Sequence, residues 1–600
     1  SVEARILRQL AEAGEAGLGE LREIGAEPRH LERLEARGLV RVVERRIERD
    51  PLAGFVLAPS PGAHLTPEQA AAADLAWATP VTLLHGVTGS GKTEVYLELV
   101  RRALEAGKGA IVLVPEISLT PQAVRRYGAR FGETLAVVHS GLSTGELYDQ
   151  WFRIARGDAR LVVGSRSAVF APVRDPGLVV VDEEHEWSYK QQDPVPRYHA
   201  REVAIRLGEL TGARVVLGSA TPDVVTYHRS EVGQIARAEL RERVAPGGDG
   251  SVRAGELPDV TIVDMRLELR EGNRSMFSRA LRRAVREALA AGEQAILFVN
   301  RRGAARFVLC RDCGYLPLCP SCEVAMSLDA EASIHAQLRC HHCGRSRRLE
   351  DRCPKCESVR YRPFGVGTQR VEAEARAVFA GARVRRWDSD TARGKGAHER
   401  LLAELEAGKV DILVGTQMLA KGLDLPAMRV VGVVDADVGL SLPDYHAAER
   451  TFQLLSQVAG RAGRRDRPGK VFFQTYEPEA APIVAAAAHD YRGFYEQEIV
   501  HRRRAGYPPF SRIVRLVYRN FNEQAGLEEA ARVATELRVL RDAAGHAEPD
   551  ILGPTRPFIP RLRGEHRWQV LLRGRAPARL LAGVRLGERW QVDVDPANLL

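Results

Sequence analysis

Residues 86–93 read Gly-Val-Thr-Gly-Ser-Gly-Lys-Thr and lie between an apolar run at 81–84 and a helical run at 94–97. The apolar run predicts a buried strand. Glycines between a strand and a helix let successive backbone N–H groups surround phosphates, assisted by the N-terminus of the helix. This context restricts the region to a parallel α/β fold that binds a nucleotide. The residues expected to hold ATP are Gly86, Val87, Thr88, Gly89, Ser90, Gly91, Lys92 and Thr93.

An acidic segment follows a second apolar run, 178–181, which is also expected to be a strand. Asp182 at its end is placed to hold Mg²⁺ through water, and Glu183 to polarise the attacking water. Lys92 is expected to reach the β- and γ-phosphates, and Thr93 to bind the same Mg²⁺. A solvated acidic turn is the alternative interpretation of this segment.

The sequence Gln-Val-Ala-Gly-Arg-Ala-Gly-Arg begins at Gln457 and adds the remaining expected catalytic residues. Arg461 and Arg464 can neutralise charge that develops on the γ-phosphate from across a cleft. Together with Gly-Ser-Ala-Thr-Pro at 218–222, this pattern is typical of superfamily 2 helicases. Gln69 stands where such enzymes often contact adenine.

Short apolar runs alternate with helical stretches in two separate regions, which predicts two parallel α/β lobes. The predicted fold class is α/β, with two RecA-like helicase lobes, a cysteine-rich insertion in the second, an N-terminal winged helix and a C-terminal α+β domain. The expected divisions are a winged helix at 1–50, a linker at 51–64, lobe 1 at 65–232, an inter-lobe connection at 233–260, lobe 2 at 261–303 and 360–495, the insertion at 304–359 and the C-terminal domain at 500–600.

All eight cysteines lie between 310 and 356, in four Cys-x-x-Cys pairs. Each pair can place two thiolates on one tight turn, and two turns complete a tetrahedral zinc site, so the cluster fits two structural Zn²⁺ ions. Disulfides or a redox motif fit the count and the context poorly. His341 and His342 are not expected to be ligands, because the cysteines already fill both sites; they are expected to lie at the surface or beside the ligands. The expected ligands are Cys310, Cys313, Cys319, Cys322, Cys340, Cys343, Cys353 and Cys356.

The chain carries 87 Lys and Arg against 78 Asp and Glu, a net charge of +9. This excess favours a polyanionic partner such as nucleic acid. No apolar stretch is long enough for a transmembrane helix and no leader is recognised, so we expect a cytoplasmic protein with no membrane partner. The first residue is Ser1, from which we expect the sequence to be part of a longer chain.

Several segments are candidates for DNA contact. Residues 1–50 show winged-helix patterning, and the third helix carries basic side chains, which suit either DNA or a protein partner. These are Arg29, His30, Arg33 and Arg37. Small polar residues at 140–141, 164–167 and 415–417 can hold phosphates. Aromatic and basic residues at 187–201 suit base stacking, with ordinary packing as the alternative.

Taken together, these motifs resemble the primosomal protein N′ (PriA) family of bacterial replication-restart helicases. The carriers are 182–185, 188–192, 197–201, 299–303, 415–422 and the eight-cysteine insertion. The resemblance implies a 3′→5′ DNA helicase at stalled forks and D-loops, with single-stranded-DNA-binding protein, primosome proteins and the replicative helicase as partners, near the nucleoid. It also implies that Cys310 and Cys313 share one ion with Cys353 and Cys356, that the inner pairs share the other, and that the last domain is S10-like.

The sequence departs from the family pattern in two places. The family's N-terminal domain, which captures a nascent 3′ end, is expected to be absent. The segment 243–257 is longer and richer in glycine than expected, and the sequence offers no function for it. The main hypothesis is a DNA-dependent ATPase and helicase. The competing one is a catalytically weak scaffold that binds forks and recruits partners, and an RNA helicase is disfavoured by the zinc insertion.

Overall fold

The computed structural model describes residues 1–43, 49, 51, 64–115, 121–246, 252–300, 307–329, 337–364, 367–388, 391, 397–416, 428–463 and 469–600. Two compact units are present. One comprises residues 1–53 with 143–149, and the other comprises 54–142 with 150–600.

The N-terminal unit is built on three helices, α1 (Val2–Ala13), α2 (Leu18–Glu23) and α3 (Pro28–Ala36). Ile6, Leu21 and Leu34 form its buried centre, as their helical spacing predicts. His30 accepts a hydrogen bond from the Glu27 N–H at 3.1 Å and therefore caps α3. No strand forms at 41–43, and residues 44–48 and 50 of the expected wing lie outside the described residues.

Lobe 1 is a seven-stranded parallel sheet with the strand order β3-β4-β2-β5-β6-β1-β7. Its elements are α4 (Pro67–Ala78), β1 (Val81–Gly86), α5 (Lys92–Glu105), β2 (Gly109–Leu113), α6 (Pro121–Phe131), β3 (Leu135–Val138), α7 (Thr144–Arg156), β4 (Leu161–Gly164), β5 (Pro176–Asp182), α8 (Ala200–Thr211), β6 (Arg214–Ser219), α9 (Val224–Glu231) and β7 (Ala236–Leu240). The register pairs Asp182 with Gly218 and His85 with Ser219, so three motif segments end side by side.

The expected boundary of lobe 1 at 232 falls short, because β7 pairs with β1 at the edge of the sheet. In β7, Arg237 and Glu239 alternate with Ala238 and Leu240, which are buried. Such alternation suits an edge strand and lacks the apolar run of a central one. The expected flexible connection also contains a short antiparallel pair, β8 (Arg243–Pro246) and β9 (Val252–Gly255).

Lobe 2 begins with β10 (Asp259–Asp264), α10 (Met265–Arg270), α11 (Arg279–Ala290) and β11 (Gln294–Phe298). The insertion then forms a five-stranded antiparallel sheet of β12 (Phe307–Cys310), β13 (Ser327–Asp329), β14 (Gln337–Arg339), β15 (Ser346–Arg348) and β16 (Tyr361–Phe364). Because β16 pairs with β12, the insertion extends past the boundary expected at 359.

The lobe resumes with α12 (Thr368–Val378), β17 (Val384–Trp387), α13 (Ala397–Glu406), β18 (Ile412–Gly415), β19 (Met428–Val433), α14 (Ala447–Ala459), β20 (Lys470–Thr475), α15 (Ala481–Ala487) and α16 (Tyr491–Ala505). Its six strands are parallel, in the order β10-β20-β19-β11-β18-β17. The expected strand at the start of this lobe, 295–299, corresponds to β11 at the centre of the sheet.

The C-terminal domain has the expected α+β form. It contains β21 (Arg512–Asn520), α17 (Glu523–Ala543), β22 (Asp550–Thr555), β23 (Arg561–Leu562), β24 (Glu565–Gly574) and β25 (Trp590–Val594). The strands pair antiparallel in the order β22-β24-β21-β25, and β23 pairs with β24. Residues such as Val533 and Leu537 of α17 pack with Leu516 and Val570 of the sheet.

None of the described helices is both long and apolar enough to cross a membrane.

Buried charges join the two lobes. Glu449, on α14, accepts hydrogen bonds from the backbone N–H of Val224 in lobe 1 and from Arg502 on α16, at 2.8 and 2.5 Å. Arg502 has no exposed surface and also donates to Glu498 at 2.8 Å. A charge without exposure is tolerated only when it is paired, so Arg502 holds two carboxylates in place.

We expect Arg502→Leu to destabilise this unit by about 3–5 kcal/mol, because two buried carboxylates lose their cation. Thermal unfolding followed by circular dichroism measures the shift. Arg504→Leu is the control, since Arg504 pairs with Glu323 at the surface, and its melting temperature should move little. Equal shifts in the two variants would contradict this role for Arg502.

Candidate nucleotide site and metal centres

The glycine-rich loop has the conformation that phosphate binding requires. Gly89 and Gly91 have positive φ angles, 82° and 79°, which residues with a side chain rarely adopt. Helix α5 begins directly at Lys92, so its first N–H groups point towards the loop. The Lys92 ammonium donates to the carbonyl oxygen of Gly86 at 2.8 Å and thereby lies across the loop.

Gln69 lies against the same loop. Its side-chain amide donates to the Ser90 carbonyl at 3.0 Å and accepts from the Thr66 N–H at 3.0 Å. Thr66 and Gln69 form a capping box at the start of α4, so this helix is fixed relative to the loop. The expected adenine contact of Gln69 stays a prediction.

Two carboxylates lie at the end of β5. Asp182 accepts a hydrogen bond from the Tyr96 hydroxyl at 2.9 Å, and burial, followed by the charge of Glu183, raises the pKa of Asp182 to about 6. Glu183 has a φ angle of 48°, which turns the chain sharply after the strand. Tyr96 was not foreseen from sequence, because a tyrosine one turn after Lys92 looks like any buried helical residue.

His185 links the two lobes beside these carboxylates. One ring nitrogen, Nδ1, lies 2.7 Å from the Ser219 hydroxyl in lobe 1, and Nε2 lies 2.9 Å from the Gln457 amide in lobe 2. Because the Gln457 amide nitrogen can only donate, Nε2 of His185 accepts this bond and Nδ1 faces the hydroxyl. Gln457, one of the expected catalytic residues, therefore contacts His185.

The arginine motif, which begins at Gln457, also lies against the glycine-rich loop of residues 86–93. A Cβ added at Gly460 would lie 2.7 Å from a methyl carbon of Thr88, so only glycine permits this approach. Burial lowers the pKa of Arg461, against the charge of Glu183. The structure thus brings Arg461 within electrostatic reach of Glu183. Arg464 lies outside the described residues.

Polar residues expected to contact DNA line a common depression on lobe 1. It has an empty volume of about 360 Å³ and is open to solvent. Its lining residues are Ser140, Ser165, Arg166, Ser167, Ser188 and Tyr189. Hydroxyls and a guanidinium in one depression suit backbone phosphates. Of the expected segment in lobe 2, residues from 417 onward lie outside the described residues.

The aromatic and basic segment 187–201 divides into packed and anchored residues. The buried Tyr189 donates to the Asp182 carbonyl at 2.7 Å. Tyr198, for which ordinary packing was the alternative, lies edge to face with Phe170, and the ring centroids are 4.9 Å apart. Lys190, also buried, donates to the carbonyl of Val594 at 2.6 Å and pairs with Asp593 at 3.0 Å. The segment therefore connects the acidic end of β5 with strand β25 of the C-terminal domain.

The eight cysteines form two groups of four, and the sulfur atoms of each group lie within 4.8 Å of one another. One group contains Cys310, Cys313, Cys353 and Cys356, and the other contains Cys319, Cys322, Cys340 and Cys343. This is the nested pairing that the family resemblance implies. Three Sγ···Sγ distances are 3.6–3.7 Å, close to the edge of about 3.8 Å in a tetrahedron with 2.3 Å zinc–sulfur bonds.

All four Cys-x-x-Cys turns share one backbone pattern. The residue after the second cysteine has a positive φ angle, and its N–H donates to the carbonyl of the first cysteine at 2.8–2.9 Å. These residues are Gly314, Glu323, Gly344 and Glu357. The repeated pattern points both thiolates of each turn inwards, so each group of four is able to hold one metal ion.

His341 and His342 belong to neither group of four cysteines, and of the two expected positions, at the surface or beside the ligands, the surface is excluded because both rings are buried. His341 lies 3.0 Å from the carbonyl of Arg556 and 2.5 Å from the hydroxyl of Ser327. His342 lies 3.0 Å from the Tyr507 hydroxyl and 3.1 Å from the Pro443 carbonyl. They therefore join the insertion to lobe 2 and to the C-terminal domain.

Three family models match the chain. They describe a DEAD/DEAH box helicase at 66–229, a helicase conserved C-terminal domain at 367–466 and a primosomal protein N C-terminal domain at 503–597. Replication restart protein PriA of Bacillus subtilis is 47% identical over 571 residues, which are 94% of this chain and 69% of that protein. This chain belongs to the PriA family.

Two further relatives agree with this assignment. Replication restart protein PriA of Synechocystis sp. is 44% identical and covers 90% of this chain and 65% of its own length. The Chlamydia pneumoniae protein of that name is 36% identical and covers 98% and 79%. The helicase domains and these relatives confirm a DNA helicase and ATPase, as the motifs predicted.

We expect Gln457→Ala to lower the rate of ATP hydrolysis about fivefold, the value of roughly one neutral hydrogen bond. The KM for ATP should change little, because Gln457 touches His185 and not the loop. Steady-state kinetics with DNA present measure both. Gln453→Ala is the control, since Gln453 lies one turn earlier and donates to the Thr221 carbonyl and to Glu449 instead of to His185. Equal losses in the two variants would contradict a specific role for the His185 contact.

Proposed function

We propose that this chain hydrolyses ATP between its two lobes and uses the resulting movement to separate DNA strands at replication forks. One observation carries the proposal. His185, next to the catalytic carboxylates, is bonded to Ser219 of lobe 1 and to Gln457 of lobe 2. A change at the γ-phosphate is thereby transmitted to the contact between the lobes.

The residues at the loop divide the chemistry among them. Lys92 binds the β- and γ-phosphates, and Thr93 with Asp182 holds Mg²⁺, which neutralises phosphate charge when bound. Glu183 accepts a proton from the attacking water, since one of its carboxylate oxygens is buried and has no hydrogen-bond partner among the described residues. Arg461 stabilises the charge that develops on the γ-phosphate. We assign Arg464 to the same task from its motif alone.

The DNA strand is proposed to cross the serine-lined depression of lobe 1 and to move 3′→5′. Stalled forks and D-loops are the proposed substrates, in keeping with the replication-restart relatives. Proposed partners are single-stranded-DNA-binding protein, primosome proteins and the replicative helicase. Because these substrates belong to the chromosome, we assign the chain to the cytoplasm, in association with the nucleoid.

Both cysteine groups are proposed to hold Zn²⁺. Four thiolates in tetrahedral array fill every position around the ion, so these sites are structural. The ions fix the four turns on which the insertion is built. Tyr507 donates to the carbonyl of Cys322 at 3.0 Å, so one of the four cysteine turns is also hydrogen-bonded to the C-terminal domain.

We expect ATP hydrolysis to rise strongly when a forked DNA with single-stranded arms is added to the chain. Lys92→Ala should abolish hydrolysis and retain fork binding, because Lys92 contacts the glycine-rich loop and does not line the serine-lined depression of lobe 1. Phosphate release and fluorescence anisotropy of a labelled fork measure the two properties. Lys108→Ala is the control, since Lys108 is a partly exposed residue beyond the end of α5. Fork binding without stimulated hydrolysis would favour the scaffold hypothesis.

We expect two zinc ions per chain, and the Cys319→Ser, Cys322→Ser double variant should retain one of them. Strand separation should fall severely, while ATP binding stays within about threefold, because the insertion lies outside the nucleotide cleft. Elemental analysis by mass spectrometry counts the ions. A parallel variant with Cys353→Ser and Cys356→Ser tests the other group. Loss of both ions in either variant, or of ATP binding, would contradict independent structural sites.

A further inference from the structure

Strand β8 is bonded directly to the glycine-rich loop. The backbone N–H of Val244 donates to the carbonyl of Gly89 at 2.9 Å. Four residues earlier, the carbonyl of Leu240 accepts from the N–H of Val87 at 3.0 Å. The chain between these bonds is therefore fixed along the loop, although the sequence offered no function for the segment that starts at Arg243.

The Arg243 side chain lies over Gly89. A Cβ added at Gly89 would come within 3.1 Å of Arg243 Cγ and Nε, so the absence of a side chain there makes room for the arginine. The guanidinium donates to the carbonyl of Glu256 at 3.2 Å and to that of Gly463, in lobe 2, at 3.4 Å. It thus joins the glycine-rich loop to the arginine motif at Gly463, two residues after Arg461.

This guanidinium is short of negative charge. The neighbouring arginines each have a carboxylate, Arg237 with Glu231 and Arg241 with Glu239. Arg243 is held by carbonyl oxygens alone among the described residues. Burial lowers the pKa of Arg243, and no carboxylate opposes this. A half-buried cation without an anion is costly, so the position favours an anionic ligand.

We propose that Arg243 binds the phosphate chain of the nucleotide and, through Gly463, joins the occupied loop to lobe 2. The proposal rests on the ATP site proposed above. A guanidinium offers paired N–H donors that match phosphate oxygens, and Gly89 places it at the loop where those oxygens would lie. The start of the segment 243–257 then has a function, because the Arg243 side chain reaches from lobe 1 to the arginine motif.

The test is the affinity of the full chain for fluorescent ADP and a fluorescent, non-hydrolysable ATP analogue. Arg243→Met keeps most of the aliphatic stem and removes the charge, so binding should weaken about tenfold, as for one charge-assisted hydrogen bond. Arg243→Lys keeps the charge and should recover part of the affinity. Arg241→Met is the matched control. It removes the same charge two residues away, on a side chain that is 80% exposed, and should bind like the unchanged chain.

Binding by Arg243→Met within twofold of the unchanged chain would overturn the proposal. So would equal losses in Arg243→Met and Arg243→Lys accompanied by a lower melting temperature, since that result marks a purely structural clamp. Lys92→Ala separates this proposal from the one on which it rests. If Lys92→Ala binds nucleotide weakly and Arg243→Met binds it normally, the proposal for Arg243 fails and the proposed ATP site stands. An unchanged chain that binds no nucleotide would overturn both.

Discussion

Glu184 is a carboxylate without solvent exposure, and three donors from two parts of the chain satisfy it. It accepts hydrogen bonds from Arg201 at 2.7 Å, from the Asp223 N–H at 2.8 Å and from the Thr226 hydroxyl at 3.0 Å. An unpaired carboxylate at this depth would cost several kcal/mol, so these bonds are obligatory. Since Glu184 lies between Glu183 and His185, its burial fixes the positions of the Glu183 carboxylate and of the histidine that reaches lobe 2.

The two ends of α14 hold lobe 1 in different ways. Near its start, Glu449 is tied by buried charge to Arg502 and accepts from Val224 across the lobe boundary. Eight residues later, about 12 Å along the helix, the uncharged Gln457 amide reaches His185 through one hydrogen bond. Such a bond contributes about 1 kcal/mol, whereas the bond from Val224 to the Glu449 carboxylate, as a bond to a charged group, contributes about 1.5–3 kcal/mol. Opening of the cleft is therefore expected at the nucleotide end, with the Glu449 end as the pivot.

The extent to which the sequence predicted this structure follows from the distance between interacting residues. The glycine-rich loop and the cysteine turns are local patterns whose chemistry requires their spacing. Central strands such as β5 were predicted because both faces are buried, whereas the edge strand β7 alternates polar and apolar residues and was missed. Lys190 and Asp593 lie 403 positions apart, and Arg243 and Gly463 lie 220 apart. Neither pair has a local signature, so only the folded chain brings them together.

The junction between the insertion and the C-terminal domain shows why a residue beside a metal ligand need not be a ligand. Burial lowers the pKa of His341 to about 4, so the ring is neutral and offers one donor and one acceptor. The donor faces the carbonyl of Arg556, and the acceptor faces the hydroxyl of Ser327. Both nitrogens are thereby occupied within the protein. The four thiolates of each group complete their own tetrahedron, which leaves the histidine to position the domains around it.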